Sequence, residues 1–369
     1  MINKIINIAN IDPSEKAGGL NLMVKNIVNA QIKEGIDAKL LYFNIPNYNL
    51  ENSNKNIKYK NLISFCKLVT KDTHFIFHSI YNIKYIFLIL IIILLGGNYS
   101  IHSHGSLSKH SIKKSWVKRY CYIIAVKFML IFSKKIIFSN HSEFLNSIIK
   151  NEKKIFFIPN LIPATSNIQL EEQKDIKKII YIGKIDYYYK GIDNLIIALS
   201  EFLDKNEDYT VDIYGFGNNK NLDINNIDHK EKDIKKLLLD IKKYNLENKV
   251  NFLGPITGIK KIIALKKAGV FILTSNSEAM PLSISEALCN SIPVIATKQT
   301  NMSEYIIPYN AGVICENNSV DILNALDTYH NNIVCNYNYY SQNAFNCYQS
   351  ELNSIYLNAY ISRYIKELK

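Results

Sequence analysis

Short β-branched runs alternate with helix-length segments along this chain, and the alternation stops once and then restarts. Parallel strands need a crossover, usually a helix, so this pattern predicts βα units and parallel sheets. In the first half the expected strands are Lys4–Ala9, Ala38–Phe43, His74–His78, Tyr99–His102, Ile136–Ser139 and Ile155–Ile158. The expected helices are Leu20–Glu34, Tyr81–Leu95, Lys109–Phe132 and Glu143–Lys150. Pro159-Asn160-Leu161-Ile162-Pro163 and the polar stretch to Lys178 then read as a linker, because proline and polar residues mark boundaries. The second half has expected strands at Lys178–Ile182, Thr210–Tyr214, Val250–Leu253, Val270–Leu273, Val294–Ala296 and Gly312–Ile314. We place one domain at 1–160 and another at 175–344, followed by a helical segment over about 345–369. The Asn/Lys-rich stretch Asn218–Lys236 reads as a surface insertion. With 369 residues, 48% of them hydrophobic, the chain can bury a core in each half.

Ligands of doubly wound sheets bind beyond the strand C-termini. Two segments at such positions carry chemistry. The first is Ser277-Glu278-Ala279-Met280-Pro281-Leu282-Ser283-Ile284-Ser285-Glu286, with seven residues between its two glutamates. Pro281 suits the first turn of a helix, where a missing N–H costs nothing. The exposed N–H groups and dipole of that helix start attract phosphate, through the backbone of Met280, Pro281 and Leu282. Glu278 and Glu286 then serve the two ends of a molecule bound through its phosphates. The second segment is Gly183-Lys184 with Lys190-Gly191, two cations after an apolar strand that can neutralise a diphosphate leaving group.

At these residues the chain resembles family 4 of the retaining, nucleotide-sugar-dependent glycosyltransferases. Glu278 and Glu286 match its Glu-x7-Glu motif; Gly183-Lys184 and Lys190-Gly191 match its Gly-Arg…Lys-Gly pair, with lysine at 184 where arginine is usual. Gly18-Gly19 looks like the N-terminal glycine loop over the phosphates, His102-Ser103-His104-Gly105 like the His-Gly segment, and Ile158-Pro159-Asn160 like the linker entry. Ser291 stands where glycine is usual before x-Pro-Val, and Ala279 where glycine is common. The resemblance implies an α/β GT-B fold: two facing Rossmann-like domains with parallel sheets and an interdomain cleft. It implies that the last helix crosses back to the N-terminal domain. It assigns Glu278 to the donor sugar, Glu286 to the ribose, Lys184 and Lys190 to the diphosphate, and His104 to the sugar, with His102 as the competing histidine.

The implied function is retaining transfer from a nucleotide-diphosphate sugar to a glycan acceptor, expected to be lipid-linked and part of a bacterial surface polysaccharide. Rival readings are a nucleotide-sugar epimerase of similar fold and a non-enzymatic basic protein that binds nucleic acid or a membrane. The net charge of +12 suits any polyanionic partner, so it does not separate them. Nucleic acid leaves the two glutamates unexplained, and no nucleic-acid partner is expected. No Asp-x-Asp pair and no His/Cys metal pattern is evident, so neither a metal nor a resident cofactor is expected. The six cysteines are scattered, which fits reduced cytosolic thiols. The apolar run Ile86–Leu95 is too short for a bilayer, which takes about 20 residues, and reads as a buried helix. Lys109, His110, Lys113, Lys114, Lys118 and Arg119 with Trp116, before the apolar Tyr122–Phe132, can lie on anionic lipid. The expected location is cytoplasmic, and the basic segment leaves two readings open, peripheral binding to the inner membrane face or a solvated helix face.

Overall fold

Each β-branched run finds a parallel partner. The computed structural model describes residues 2–11, 19–43, 56–80, 82–113, 126–150, 152–165, 174–217, 227–228 and 231–368. The chain divides into two units, Met1–Leu161 with Ser354–Lys369, and Ile162–Asn353.

The first unit runs β1 (Lys4–Ala9), α1 (Gly19–Lys33), β2 (Asp37–Tyr42), β3 (Asn56–Lys58), α2 (Leu62–Cys66), β4 (Thr73–His78), α3 (Ile83–Leu94), β5 (Asn98–His102), α4 (Lys109–Lys113), α5 (126–132), β6 (Ile136–Phe138), α6 (His141–Leu145) and β7 (Ile155–Phe157). All pairings are parallel, in the order β3-β2-β1-β4-β5-β6-β7. The period of two in a strand sends Ile6 and Ile8 to one face of β1 and Ile5 and Ala9 to the other, so the sheet carries a core on each side. β3 was not expected, since its three residues carry no apolar signal. The long helix expected over Lys109–Phe132 is present as α4 and α5; residues 114–125, with Lys114, Trp116, Lys118 and Arg119, lie outside the described residues. The helix expected over Glu143–Lys150 is the short α6, which begins two residues earlier and ends at Leu145.

The expectation of a buried helix at Ile86–Leu95 holds for one face of α3 only. Tyr85, Leu88, Ile89 and Ile92 enter the core, whereas Ile83 (71% exposed), Phe87 (61%), Leu90 (39%) and Leu94 (82%) form an apolar stripe on the outer face. α5 packs on the same core, with Ile131 and Phe132 exposed. No helix among the described residues is long and apolar enough to cross a membrane.

The second unit runs β8 (Asp175–Ile182), α7 (Tyr187–Lys190), α8 (Ile192–Lys205), β9 (Thr210–Tyr214), α9 (Lys232–Lys243), β10 (Val250–Gly254), α10 (Gly258–Lys267), β11 (Ala268–Leu273), α11 (Leu282–Cys289), β12 (Val294–Thr297), α12 (Ser303–Tyr309), β13 (Gly312–Cys315), α13 (Ser319–Thr328) and α14 (Tyr337–Cys347). Its sheet order is β10-β9-β8-β11-β12-β13. The supposed insertion at Asn218–Lys236 is corrected at its end: α9 starts at Lys232 and buries Ile234, Leu237 and Ile241 at helical spacing.

α15 (Leu357–Leu368) belongs to the first unit, where it packs on α1 through Ile361, Tyr364, Ile365 and Leu368. Each such burial contributes roughly 1.5–3 kcal/mol. The return begins at Ser354 rather than near residue 345, because Cys347, Tyr348 and Leu352 are buried in the core of the second unit.

Candidate active site

In the second sheet the strand order reverses between β8 and β11, and ligands of such sheets bind at that point. Gly183 and Lys184 follow β8, and Glu278 follows β11. The β8 end is fixed by its neighbour. The N–H of Gly183 donates to Tyr214 O at 3.1 Å, and that of Ile185 to Phe216 O at 2.8 Å. A Cβ on Gly215 would lie 2.2 Å from Gly183 O, so only glycine allows this approach.

The sequence reads Lys190 as opening the next helix; in the structure it instead closes α7, a single turn capped by Asp186 on Tyr189 N–H at 3.0 Å. Gly191 then turns the chain at φ +58, in the left-handed region. This turn docks on the end of β11. Thr274 Oγ1 donates to Lys190 O at 3.1 Å, and Asn276 N–H to Tyr189 O at 2.7 Å. Asn317 Nδ2 donates to Thr274 O at 2.8 Å and to Asn276 Oδ1 at 2.6 Å. A Cβ at 191 would lie 2.4 Å from that Nδ2.

The docking brings Lys190 Nζ onto Glu278 Oε1, which also accepts from Ser275 Oγ at 2.8 Å. Both side chains are about five-sixths buried, at 16% and 17% exposure. The backbone of Glu278 is held as well: its N–H donates to Gln299 O at 3.0 Å, and its carbonyl accepts from Asn301 Nδ2 at 2.7 Å. Lys184 is more open, with its ammonium 3.6 Å from Asp186.

Pro281 sits at the N-cap of α11, with φ −73 and ψ 123, one position before the first turn expected for it; Leu282 is the first helical residue. Met280 is buried in the core and Leu282 half-buried. Glu286, in the second turn, pairs with Lys261 of α10 at 2.5 Å. Lys261 escaped sequence reading because one lysine among many on an amphipathic helix carries no signal. The two glutamates therefore each hold their own lysine, a pattern of paired charges that an anionic ligand can rearrange. Gly18 lies outside the described residues, and Gly19 opens α1.

In the first unit, β5 ends at His102, and the chain turns at His104 with φ +46. Buried Glu143 fixes the turn: one carboxylate oxygen accepts Gly105 N–H and the other Ser139 N–H, both at 2.6 Å. Burial pushes the Glu143 carboxyl up against the effect of these bonds. His104 is half-buried and His102 fully buried. Burial holds the His104 imidazolium down at about 3, so the ring is neutral at neutral pH. No metal-ligating cluster was evident along the chain, yet His78, His102 and His104 come together, with a ring nitrogen from each within 4.8 Å of the others. In the sequence His78 reads as an ordinary core histidine; the pairing of β4 with β5 aligns it with His102.

Two doubly wound units, one with lysines and glutamates gathered at its switch point, define an α/β protein of the doubly wound class, whose ligands bind beyond the strand ends. Residues 164–332 match the family model of glycosyl transferases group 1. That segment resembles group 1 glycosyl transferases, and the whole chain has the GT-B fold. Anabaena HepE in complex with UDP superposes with a TM-score of 0.73 at 16% identity, covering 98% of this chain and 99% of that one. A glycosyltransferase from Rickettsia africae gives 0.72 at 16% identity, covering 100% and 99%. Sucrose-phosphate synthase from Thermosynechococcus elongatus gives 0.71 at 16% identity, covering 99% of each. An uncharacterized glycosyltransferase of Haemophilus influenzae is 25% identical over 177 residues, 47% of this chain. The match spans only 44% of that relative's length.

Proposed function

We propose that this protein is a retaining, family 4 type glycosyltransferase. In this reading it moves a sugar from a nucleotide-diphosphate donor to a glycan acceptor, lipid-linked, in bacterial surface polysaccharide synthesis. The observation that carries the reading is the Lys190–Glu278 pair at the switch point of the second sheet, tied there by Thr274. The donor is held mainly by the second unit and the acceptor mainly by the first. Lys184, Lys190 and the first N–H groups of α11 stabilise the charge that grows on the leaving diphosphate, while the sugar passes through an oxocarbenium-like state. Glu278 contacts the sugar and Glu286 the ribose. Neutral His104 offers a hydrogen bond to a sugar hydroxyl. The departing phosphate oxygen takes the acceptor proton, so no protein base is required. HepE, of the same fold, was crystallised with UDP and with UDP-glucose, which is in keeping with a nucleotide-sugar donor.

The membrane part of the reading has its own support. The exposed stripe Ile83, Phe87, Leu90 and Leu94 and the exposed Ile131 and Phe132 lie on helices that share one core, close in sequence to the basic run at Lys109–Arg119. Apolar residues beside cations suit the surface of an anionic bilayer.

The deciding experiment is a transfer assay on Glu278→Gln and Glu286→Gln after a thermal-shift screen has found the donor. Each change is expected to lower turnover by roughly 100-fold or more with an unaltered melting curve. Near-normal turnover in both would remove this site from the reaction.

A further inference from the structure

We propose that His78, His102 and His104 bind one transition-metal ion of the zinc type. The site is distinct from the diphosphate contacts of the second unit and shares only His104 with the transfer reading.

Its geometry follows from the sheet. β4 and β5 are parallel, and His78 is the register partner of His102, each the last residue of its strand. His104 is two residues further on, and the positive φ there lays its ring over that of His102, with centroids 3.8 Å apart and planes 20° apart. A ring nitrogen from each of the three imidazoles thus lies within 4.8 Å of the others beyond the strand ends, next to the reversal between β1 and β4, and the stacked His102 and His104 rings turn out of their stack to aim both lone pairs at one ion.

The hydrogen bonds show which nitrogens carry lone pairs. Asn7 Nδ2 donates to Gln31 Oε1 at 2.7 Å, so Asn7 presents its oxygen to His78 Nε2 at 3.0 Å. That oxygen accepts only, so His78 holds its proton on Nε2 and has a lone pair on Nδ1. Nδ1 faces His104 Nε2 at 2.9 Å. A ring N–H anchored to a side-chain oxygen is the usual outer support of a metal-bound histidine, and Gln31 and Asn7 supply it here. His102 is fully buried, and neither ring nitrogen has a hydrogen-bond partner. Native interiors seldom leave such atoms unpaired, and a bound ion accounts for one of the two.

Three imidazole nitrogens suit zinc, cobalt, nickel or copper rather than calcium or magnesium, which take oxygen ligands. Tetrahedral bonds of about 2.0–2.1 Å set nitrogens roughly 3.3 Å apart. The His78–His104 contact therefore opens by a few tenths of an ångström, and His104 carries its proton on Nδ1 instead of Nε2. Three protein ligands leave a fourth position for water or another donor.

The test uses the full-length protein stripped by chelator and gel-filtered. Zinc is titrated by calorimetry, bound metal is counted after gel filtration, and Co²⁺ is added to read its visible d–d absorption. One ion per chain with a tetrahedral cobalt spectrum is the expected result. In His102→Phe, which keeps the ring volume, zinc affinity should fall at least tenfold; in Asn7→Leu, which removes the support of His78, it should fall about tenfold. Absence of stoichiometric zinc binding by the wild type overturns the proposal, as does zinc binding unchanged in a folded His102→Phe. Should His102→Phe fail to fold, the wild-type cobalt spectrum and Asn7→Leu decide: an octahedral spectrum or unaltered affinity overturns it.

Discussion

Thr274 donates its hydroxyl to the carbonyl oxygen of Lys190 at 3.1 Å, across 84 positions of sequence. This bond joins the Lys-Gly turn to the segment that carries Glu278. Thr274→Val keeps the shape and leaves a carbonyl with one partner fewer, so stability should fall by about 1–2 kcal/mol in urea unfolding. Because Lys190 would lose its seating on Glu278, donor affinity should fall as well. Donor affinity equal to wild type would show that Gly191 and Asn317 hold the turn without it.

Lys184→Ala and Lys190→Ala should weaken binding of a nucleoside diphosphate far more than of the nucleoside, by tenfold or more in calorimetric titration. Lys184→Arg should bind as wild type, because its charge and reach are kept. In the same reading transfer persists in EDTA, since these two cations do the neutralising. Loss on chelation with recovery on magnesium or manganese would give the diphosphate to a metal instead.

Ser291 holds φ +60 between α11 and β12, which explains why glycine is usual at this position in the family resembled. A left-handed residue with a Cβ costs about 1–2 kcal/mol, and glycine returns part of that through the entropy of the unfolded chain. Ser291→Gly should therefore raise stability by roughly 0.5–1 kcal/mol. Its carbonyl, which accepts from Ser341 Oγ at 2.7 Å, is unaffected by the change. A lowered melting temperature would show that the serine side chain contributes more than its strain.

Three buried histidines and the half-buried His104 make the first unit sensitive to acid. Burial holds His74 and His104 at about 3, and His78 and His102 are also well below the ordinary 6.5. All are neutral in both states above about pH 6.5, so their contribution is complete there. Between that value and about 3 the unfolded chain takes up protons at His74 and His104 that the folded one refuses, and stability falls as pH falls, by roughly 1.4 kcal/mol per pH unit for each of these two, with His78 and His102 acting in the same direction. Unfolding followed by the single tryptophan, Trp116, should show this slope, and His74→Gln should reduce it by one proton. A flat profile from pH 6.5 to 4.5 would mean that the rings charge within the folded state.

If the α3 stripe and the basic run after it touch lipid, the protein should co-sediment with anionic vesicles and be released as salt rises, because attraction is screened over about 10 Å at 0.1 M. Phe87→Ser with Leu94→Ser should reduce this binding while donor affinity stays unchanged. Indifference to anionic vesicles at low salt would end the peripheral-membrane reading and leave the transfer reading standing.

The sequence by itself determined the sheets. Strand periodicity and βα alternation are local properties, and the expected strands from Lys4–Ala9 to Gly312–Ile314 recur in the structure, because a run such as Ile179–Tyr181 has few other ways to bury every side chain. The motif residues Lys184, Lys190, Glu278 and Glu286 were legible for the same reason: each follows or flanks an element whose end is readable. What only the tertiary structure decided is which groups meet. Lys261 reaches Glu286 from another helix, Glu143 reaches Gly105 over 38 positions, and Thr274 reaches Lys190. His78 joins His102 and His104 because β4 and β5 pair in one register, and a shift of one residue would send His78 to the opposite face. Such contacts depend on strand order and register, which hydrophobic burial sets across the whole unit and no single segment encodes.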